Sequence, residues 1–264
     1  MNLEIDGKRT LVTGSTAGIG LATARLFAAE NAAVVVNGRT EARVAAAVRA
    51  IQDAVPGANV GGVAADLGTA AGCAALVEQA REMDILVNNV GIFELKPFEQ
   101  ITDADWLRFF ETNVMSGIRL ARHYLPGMRA RNWGRIIFVS SESGIQIPPE
   151  MIHYGMTKAA QIAVARGLAE ATAGTGITIN SILPGPTRSE GVGAFVEQMA
   201  AARGVSPEAL EREFFATARP SSLLKRFATV DEVAVMAVYL ASPLASATNG
   251  APVRVDGGVV RAAF

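Results

Sequence analysis

The strongest constraint on how this chain folds is a repeated change of period. Short runs of β-branched and aliphatic residues alternate with longer helical stretches. Candidate strands are Arg9–Thr13, Val34–Asn37, Val60–Ala64, Ile85–Asn88, Arg135–Ser140, Thr178–Leu183 and Pro252–Val255. Helical stretches lie between most of them, among them Ile19–Glu30, Glu41–Ala54, Ala70–Met83, Asp103–Arg131 and Tyr154–Ala173. Such alternation covers both faces of a parallel sheet with helices. Half of the 264 residues are hydrophobic, with few aromatics, which suits buried strands under closely packed helices. The expectation is one α/β domain with a doubly wound parallel sheet of about seven strands. No linker, low-complexity stretch or internal repeat interrupts it. Only Gly185–Leu224 breaks the pattern, with helical pieces around Phe195–Arg203 and Pro207–Thr217; long insertions of this kind often form lids.

Charge and cysteine usage narrow the function. The formal net charge of −1 offers no electrostatic footprint for nucleic acid or an anionic membrane. Cys73 is the one cysteine, so no intrachain disulfide can form, and its Ala-rich surroundings read as core packing. The polar start, Met1 to Arg9, lacks a signal-peptide pattern, and no apolar run reaches membrane-spanning length. A cytoplasmic protein is expected, with no metal site.

Ligand-binding signals cluster where the candidate strands end. The first strand runs into Thr13-Gly14-Ser15-Thr16-Ala17-Gly18-Ile19-Gly20 and then a helix. Glycines there let the backbone approach a pyrophosphate seated at the helix N-terminus. Gly14, Ser15, Thr16, Gly18, Ile19 and Gly20 are therefore candidate cofactor contacts, and the sheet reads as a Rossmann-type dinucleotide binder. At the end of the second strand, Gly38 stands where an NAD-binding chain commonly has a carboxylate. Arg39 follows, and a guanidinium suits a ribose phosphate, which favours NADP over NAD. The plain alternative is a solvated surface Arg. Asp66-Leu67 follows the third strand, and Asn88-Asn89-Val90-Gly91 the fourth. Asp66 can accept from an adenine amino group, cap the next helix, or do both.

Tyr154 and Lys158 share a helix face, and Ser141 lies thirteen residues before the Tyr. A phenol ordinarily keeps its proton to about pH 10. A cation one turn away favours phenolate, and a neighbouring hydroxyl can hold a carbonyl oxygen beside it. Taken alone, a half-buried Tyr beside a surface Lys explains the same spacing.

Together these motifs resemble the short-chain dehydrogenase/reductase family over almost the whole chain. Thr13-Gly14-x-x-x-Gly18-Ile19-Gly20 resembles its cofactor motif, and Asn88-Asn89-Val90-Gly91 its Asn-Asn-Ala-Gly motif. Ser141, Tyr154 and Lys158 match its catalytic Ser and Tyr-x-x-x-Lys; Asn113 stands where it has a catalytic Asn. Pro184-Gly185 matches the turn after the sixth strand, and Val255-Asp256-Gly257-Gly258 the C-terminal signature. The resemblance implies that Gly91, Asn89, Leu67, Asp66, Pro184, Gly185, Thr187 and Ser189 contact the nicotinamide cofactor alongside Tyr154 and Lys158. It implies hydride transfer to or from a carbonyl or secondary alcohol, a 3-oxoacyl thioester being one possibility, and a homotetramer or dimer built on the two long helices. Departures are Val90 for Ala, Ala17 where NADP-preferring members often carry a cation, and Ser189 for Thr. Residues expected to face substrate are Glu142, Ser143, Ile147, Met151 and His153, with Phe195 and Phe214 from the lid. Arg129 and Arg131 suit either an acidic carrier protein or the helix dipole. A second class of function keeps the fold and binds NADP as a catalytically weak regulator. The intact Ser141, Tyr154, Lys158 and Asn113 argue against it.

Overall fold

The computed structural model describes residues 2–263, apart from the side chain of Phe195. In chain order the elements are β1 (Arg9–Val12), α1 (Gly18–Ala29), β2 (Ala33–Gly38), α2 (Glu41–Ala54), β3 (Val60–Ala64), α3 (Ala70–Gln79), β4 (Ile85–Asn88), α4 (Asp103–Phe110), α5 (Ser116–Ala130), β5 (Gly134–Val139), α6 (Ile152–Ala171), β6 (Ile177–Pro184), β7 (Thr187–Arg188), α7 (Glu190–Arg203), α8 (Pro207–Thr217), β8 (Ala228–Thr229), α9 (Val230–Ala241) and β9 (Pro252–Val255). Seven strands form a sheet in the order β3-β2-β1-β4-β5-β6-β9, and every pairing in it is parallel. This is a single-domain Rossmann-type fold. The short strands β7 and β8, absent from the sequence reading, pair beside it.

Side chains alternate faces along each strand, and here both faces are buried. Val12, Val36, Val87, Ile137 and Ile182 point into one core with Phe27 of α1, Ile51 of α2 and Val233 of α9. Leu11, Leu86, Ile136, Phe138 and Ile179 point into the other, against Leu76 of α3, Leu120 of α5 and Ala165 of α6. Cys73 lies in that second core, as a packing residue. After β3 the chain returns to place β4 on the other side of β1, so the connections reverse between β1 and β4. A ligand crevice opens at such a reversal, outside the carboxyl ends of the strands.

Two expected helices come out differently. The stretch Asp103–Arg131 is interrupted by a π-helical turn at Glu111–Met115. An apolar pattern of helical period does not distinguish the two windings. Helix α3 stops at Gln79 rather than Met83, where the chain turns to bring Asp84 onto Arg9 at 2.9 Å. At Gly117, α5 comes so near the sheet that a Cβ would meet the Phe138 ring at 2.8 Å. Phe138 is 1% exposed at the centre of that contact. Phe138→Ala should therefore lower the unfolding free energy by about 3–5 kcal/mol in a denaturant titration, and a loss under about 1 kcal/mol would contradict this packing.

Candidate active site

The glycine turn after β1 is held by the side chains of Asn37 in β2 and Asn89 just beyond β4. Asn37 Oδ1 accepts from the Gly14 N–H at 3.2 Å, while its Nδ2 donates to the carbonyls of Val63 and Ala65. Asn89 Nδ2 donates to the carbonyls of Thr13 and Gly14, each at 3.0 Å. Gly14 and Gly18 adopt φ of +60° and +58°. A Cβ on Gly20 would lie 2.5 Å from the Gly14 carbonyl oxygen. The hydroxyl of Ser15 is consumed inside the turn, donating to Val12 O and accepting from Asn37 N. Helix α1 starts without a side-chain cap and without an acidic residue in its first turn. By contrast, Thr40, Thr69, Thr102, Ser189, Ser206 and Thr229 cap α2, α3, α4, α7, α8 and α9. The open, positive end of α1 fits an anionic group brought by a ligand.

Two cavities meet at the crevice. The inner one, about 240 Å³, is lined by Ile19, Asn89, Gly91, Ser141, Tyr154, Lys158, Pro184, Gly185, Thr187 and Ser189, with five further residues. The outer one, about 410 Å³, shares Ser141, Tyr154, Gly185 and Thr187 and extends between Met151 and the α7–α8 segment. Most of the expected cofactor contacts thus converge. Others stand apart: Arg39 and Asp66 are exposed beyond the cavities, and Leu67 is buried in the second core. Thr16 packs its methyl against Gly38, where a Cβ would meet it at 2.4 Å. Asp66 does not cap α3; Thr69 does, and Asp66 closes its own turn by accepting from Gly68 N at 3.0 Å. Val90 lies over Gly14, where a Cβ would meet its Cγ2 at 3.0 Å.

Lys158 is 4% exposed and points its Nζ at Val139 O (2.9 Å) and Gln161 Oε1 (3.1 Å). Gln161 Nε2 in turn donates to Asn113 O at 2.6 Å. Asn113, in the π turn, does not bond back along its own helix. Its Oδ1 accepts from Ile92 N at 2.7 Å, and its Nδ2 donates to Thr157 Oγ1 at 2.9 Å and to Ile92 O at 3.0 Å. The π turn, α6 and the irregular segment after Gly91 are thereby locked together.

A family model described as short chain dehydrogenase matches residues 8–200. The chain belongs to the short-chain dehydrogenase/reductase family. It is 47% identical to an uncharacterized oxidoreductase of Bacillus subtilis, YvrD, over 99% of both chains. It is 36% identical to a D-beta-hydroxybutyrate dehydrogenase of Cupriavidus necator, covering 97% of this chain and 99% of that one. The L-sorbose reductase of Gluconobacter frateurii, solved with NADPH and L-sorbose, superposes with a TM-score of 0.94 at 33% identity, over 99% of this chain and all of that one. The protein is an oxidoreductase of this family, built for a nicotinamide cofactor. Among the described residues no helix is long and apolar enough to cross a membrane, and no side-chain cluster suits a metal ion.

The dehydrogenase/reductase site departs from the sequence reading in several places. His153 does not face the cleft. It is fully buried under α4, its ring 4.0 Å from that of Phe109 and edge-on to Trp106, and burial pushes its pKa down. Adjacent helical positions point about 100° apart, so a Tyr154 aimed at the crevice sends its neighbour into the core. Glu142 does line the outer cavity, but as a buried group that accepts from the Ser141 hydroxyl at 2.5 Å. Met151 and Phe214 line the outer cavity and Ile147 its approach, while the Phe195 side chain lies outside the described residues. Arg129 and Arg131 serve the structure, donating to Ala171 O and Met83 O. Gln161 and Arg219 were missed. Gln161 sits one turn beyond Lys158 on the same face, a signal the spacing carries. Arg219 has no local signal.

Burial disfavours the charged form of both titrating groups. It pushes the Lys158 ammonium down to about 7 from an ordinary 10.5, and pushes the Tyr154 phenol far above its usual range, against the Ser141 hydroxyl that works the other way. The expected help from Lys158 to a phenolate is thus opposed by burial; its Nζ lies 5.5 Å from the Tyr154 ring centroid. A folded-state pKa below the unfolded value penalises the charged amine fully below about pH 7 and releases that penalty as pH rises towards about 10.5. In cofactor-free protein the stability of the wild type relative to Lys158→Met should rise across that window. A difference that stays flat with pH would contradict the buried ammonium.

Proposed function

We propose that this enzyme is an NADP-dependent oxidoreductase that transfers a hydride between nicotinamide and a ketone or secondary alcohol, with Tyr154 as acid or base at the substrate oxygen. The observation that carries the reading is the junction of the two cavities at Ser141 and Tyr154, directly over the buried Lys158. The cofactor, when bound in the inner cavity, supplies or takes the hydride. Tyr154 supplies the matching proton in reduction and removes it in oxidation. Ser141 donates to the oxygen on which charge develops. Lys158 is held in place through Val139 O and Gln161, and Gln161 is held by the Asn113 carbonyl. Segment 185–224 acts as the lid: α7 and α8 close on each other through Val196, Ala200, Leu210 and Phe215.

NADP is favoured because Gly38 leaves no carboxylate at the end of β2, and Arg39, exposed beside it, forms no ion pair among the described residues. The NADPH bound by the L-sorbose reductase supports the same choice. No observation favours a catalytically weak regulator, and the intact Asn113, Ser141, Tyr154 and Lys158 support the enzyme reading.

Tyr154→Phe should cut kcat by about 10²–10⁴-fold while NADPH binding, followed by fluorescence, stays near normal; turnover close to wild type would sink the assignment. Arg39→Ala should raise the Kd for NADPH by about ten- to a hundredfold and leave that for NADH nearly unchanged. Equal losses for the two cofactors would remove Arg39 from the phosphate site.

A further inference from the structure

We propose that Glu142 makes the enzyme selective for uncharged carbonyl compounds bearing a hydroxyl on the carbon next to the carbonyl, and selective against ketones that carry a carboxylate. This rests on the oxidoreductase reading above and names its substrate class. Glu142 follows Ser141 directly, in a short helical turn at Glu142–Gly144, and its side chain is 6% exposed. Its Oε2 accepts from Ser141 Oγ at 2.5 Å, from Ser143 N at 2.6 Å and from Ser143 Oγ at 2.9 Å. Its Oε1 faces Arg219 Nε at 3.3 Å.

The hydroxyl needed at the substrate oxygen is therefore already committed to a carboxylate. Oxygens on neighbouring carbons of one molecule lie about a hydrogen bond apart, the spacing between Ser141 Oγ and Glu142 Oε2. A hydroxyl next to the carbonyl replaces Ser141 as a donor to Glu142, and the freed Ser141 proton turns to the carbonyl oxygen. A plain ketone offers no replacement donor and leaves Glu142 holding that proton, so a site built around a substrate hydroxyl discriminates against the analogue lacking it. Charge acts in the same direction. Glu142, Glu150, Glu211 and Glu213 line the outer cavity. The guanidinia that reach them are already engaged: Arg219 by Glu142 and Glu150, Arg203 by Glu213, and Arg188 by Glu211. An entering carboxylate meets an excess of negative charge and no unengaged guanidinium among these.

The test compares kcat/KM of the whole enzyme with NADPH for acetoin, butanone (acetoin without its hydroxyl) and acetoacetate. Acetoin should exceed butanone by about tenfold or more, the worth of a hydrogen bond to a charged group, and acetoacetate should be the poorest. In Glu142→Gln the preference for acetoin over butanone should shrink about tenfold and acetoacetate should gain on butanone. Ratios within one preparation cancel any loss of folded enzyme, and a wild type without the acetoin preference overturns the proposal even if the variant does not fold. Equal rates for acetoin and butanone, or an unchanged ratio in Glu142→Gln, would overturn the proposal with the oxidoreductase reading intact. Preference for acetoacetate would overturn it too, and would assign Arg219 to a substrate carboxylate. Turnover of none of the three, with NADPH still bound, would overturn that reading and this inference with it.

Discussion

The Lys158 ammonium lies between the Val139 carbonyl at the end of β5 and Gln161 of α6, and the crevice is arranged around that placement. Moving a cation out of water is costly, and two neutral hydrogen bonds offset only part of the cost. The amine gives up its proton near neutrality as a result, while the same burial makes the Tyr154 phenol hold its own. Each group alone is pushed towards neutrality, yet the two charges stabilise one another when they arise together. A phenolate beside Lys158 draws the proton back onto the amine. Their titrations accordingly belong to the pair rather than to either residue. The π turn contributes by presenting the Asn113 carbonyl to Gln161, and a regular α-helical turn would send that carbonyl along the helix axis instead.

The parts of this arrangement that repeat at a fixed short spacing were legible in the sequence. Runs of Val, Ile and Leu read as strands because burial on both faces removes the polar alternation. The turn at Gly14–Gly20 read as a ligand turn because glycines at the end of a strand have few other uses. Tyr154 and Lys158 lie four apart on one helix, so their shared direction follows from helix geometry alone. The π turn was not legible, since one extra residue in a turn leaves the apolar pattern almost unchanged. The capping of α3 was misread because Asp66 and Thr69 are both good caps, and the choice depends on where the chain leaves β3. His153 was expected to face substrate, although the angle of about 100° between neighbouring helical side chains weighs against its sharing the direction of Tyr154.

The relation of Glu142 to Arg219 was out of reach for a different reason. The two residues are 77 apart in sequence, and Arg219 lies just past α8, in the segment where the strand–helix alternation fails. Regular elements packed on both faces of the sheet hold Tyr154 and Lys158 in place. The irregular segment carries no such restriction, so its residues can vary without disturbing the core. Arg219 extends that freedom into the site itself: by engaging Glu142 it influences which partner the Ser141 hydroxyl has before a substrate arrives. The groups proposed for proton transfer thus sit on α6 and just beyond β5, and on the proposed reading the polarity that a substrate meets is set jointly by Glu142 and by Arg219 of the segment above it.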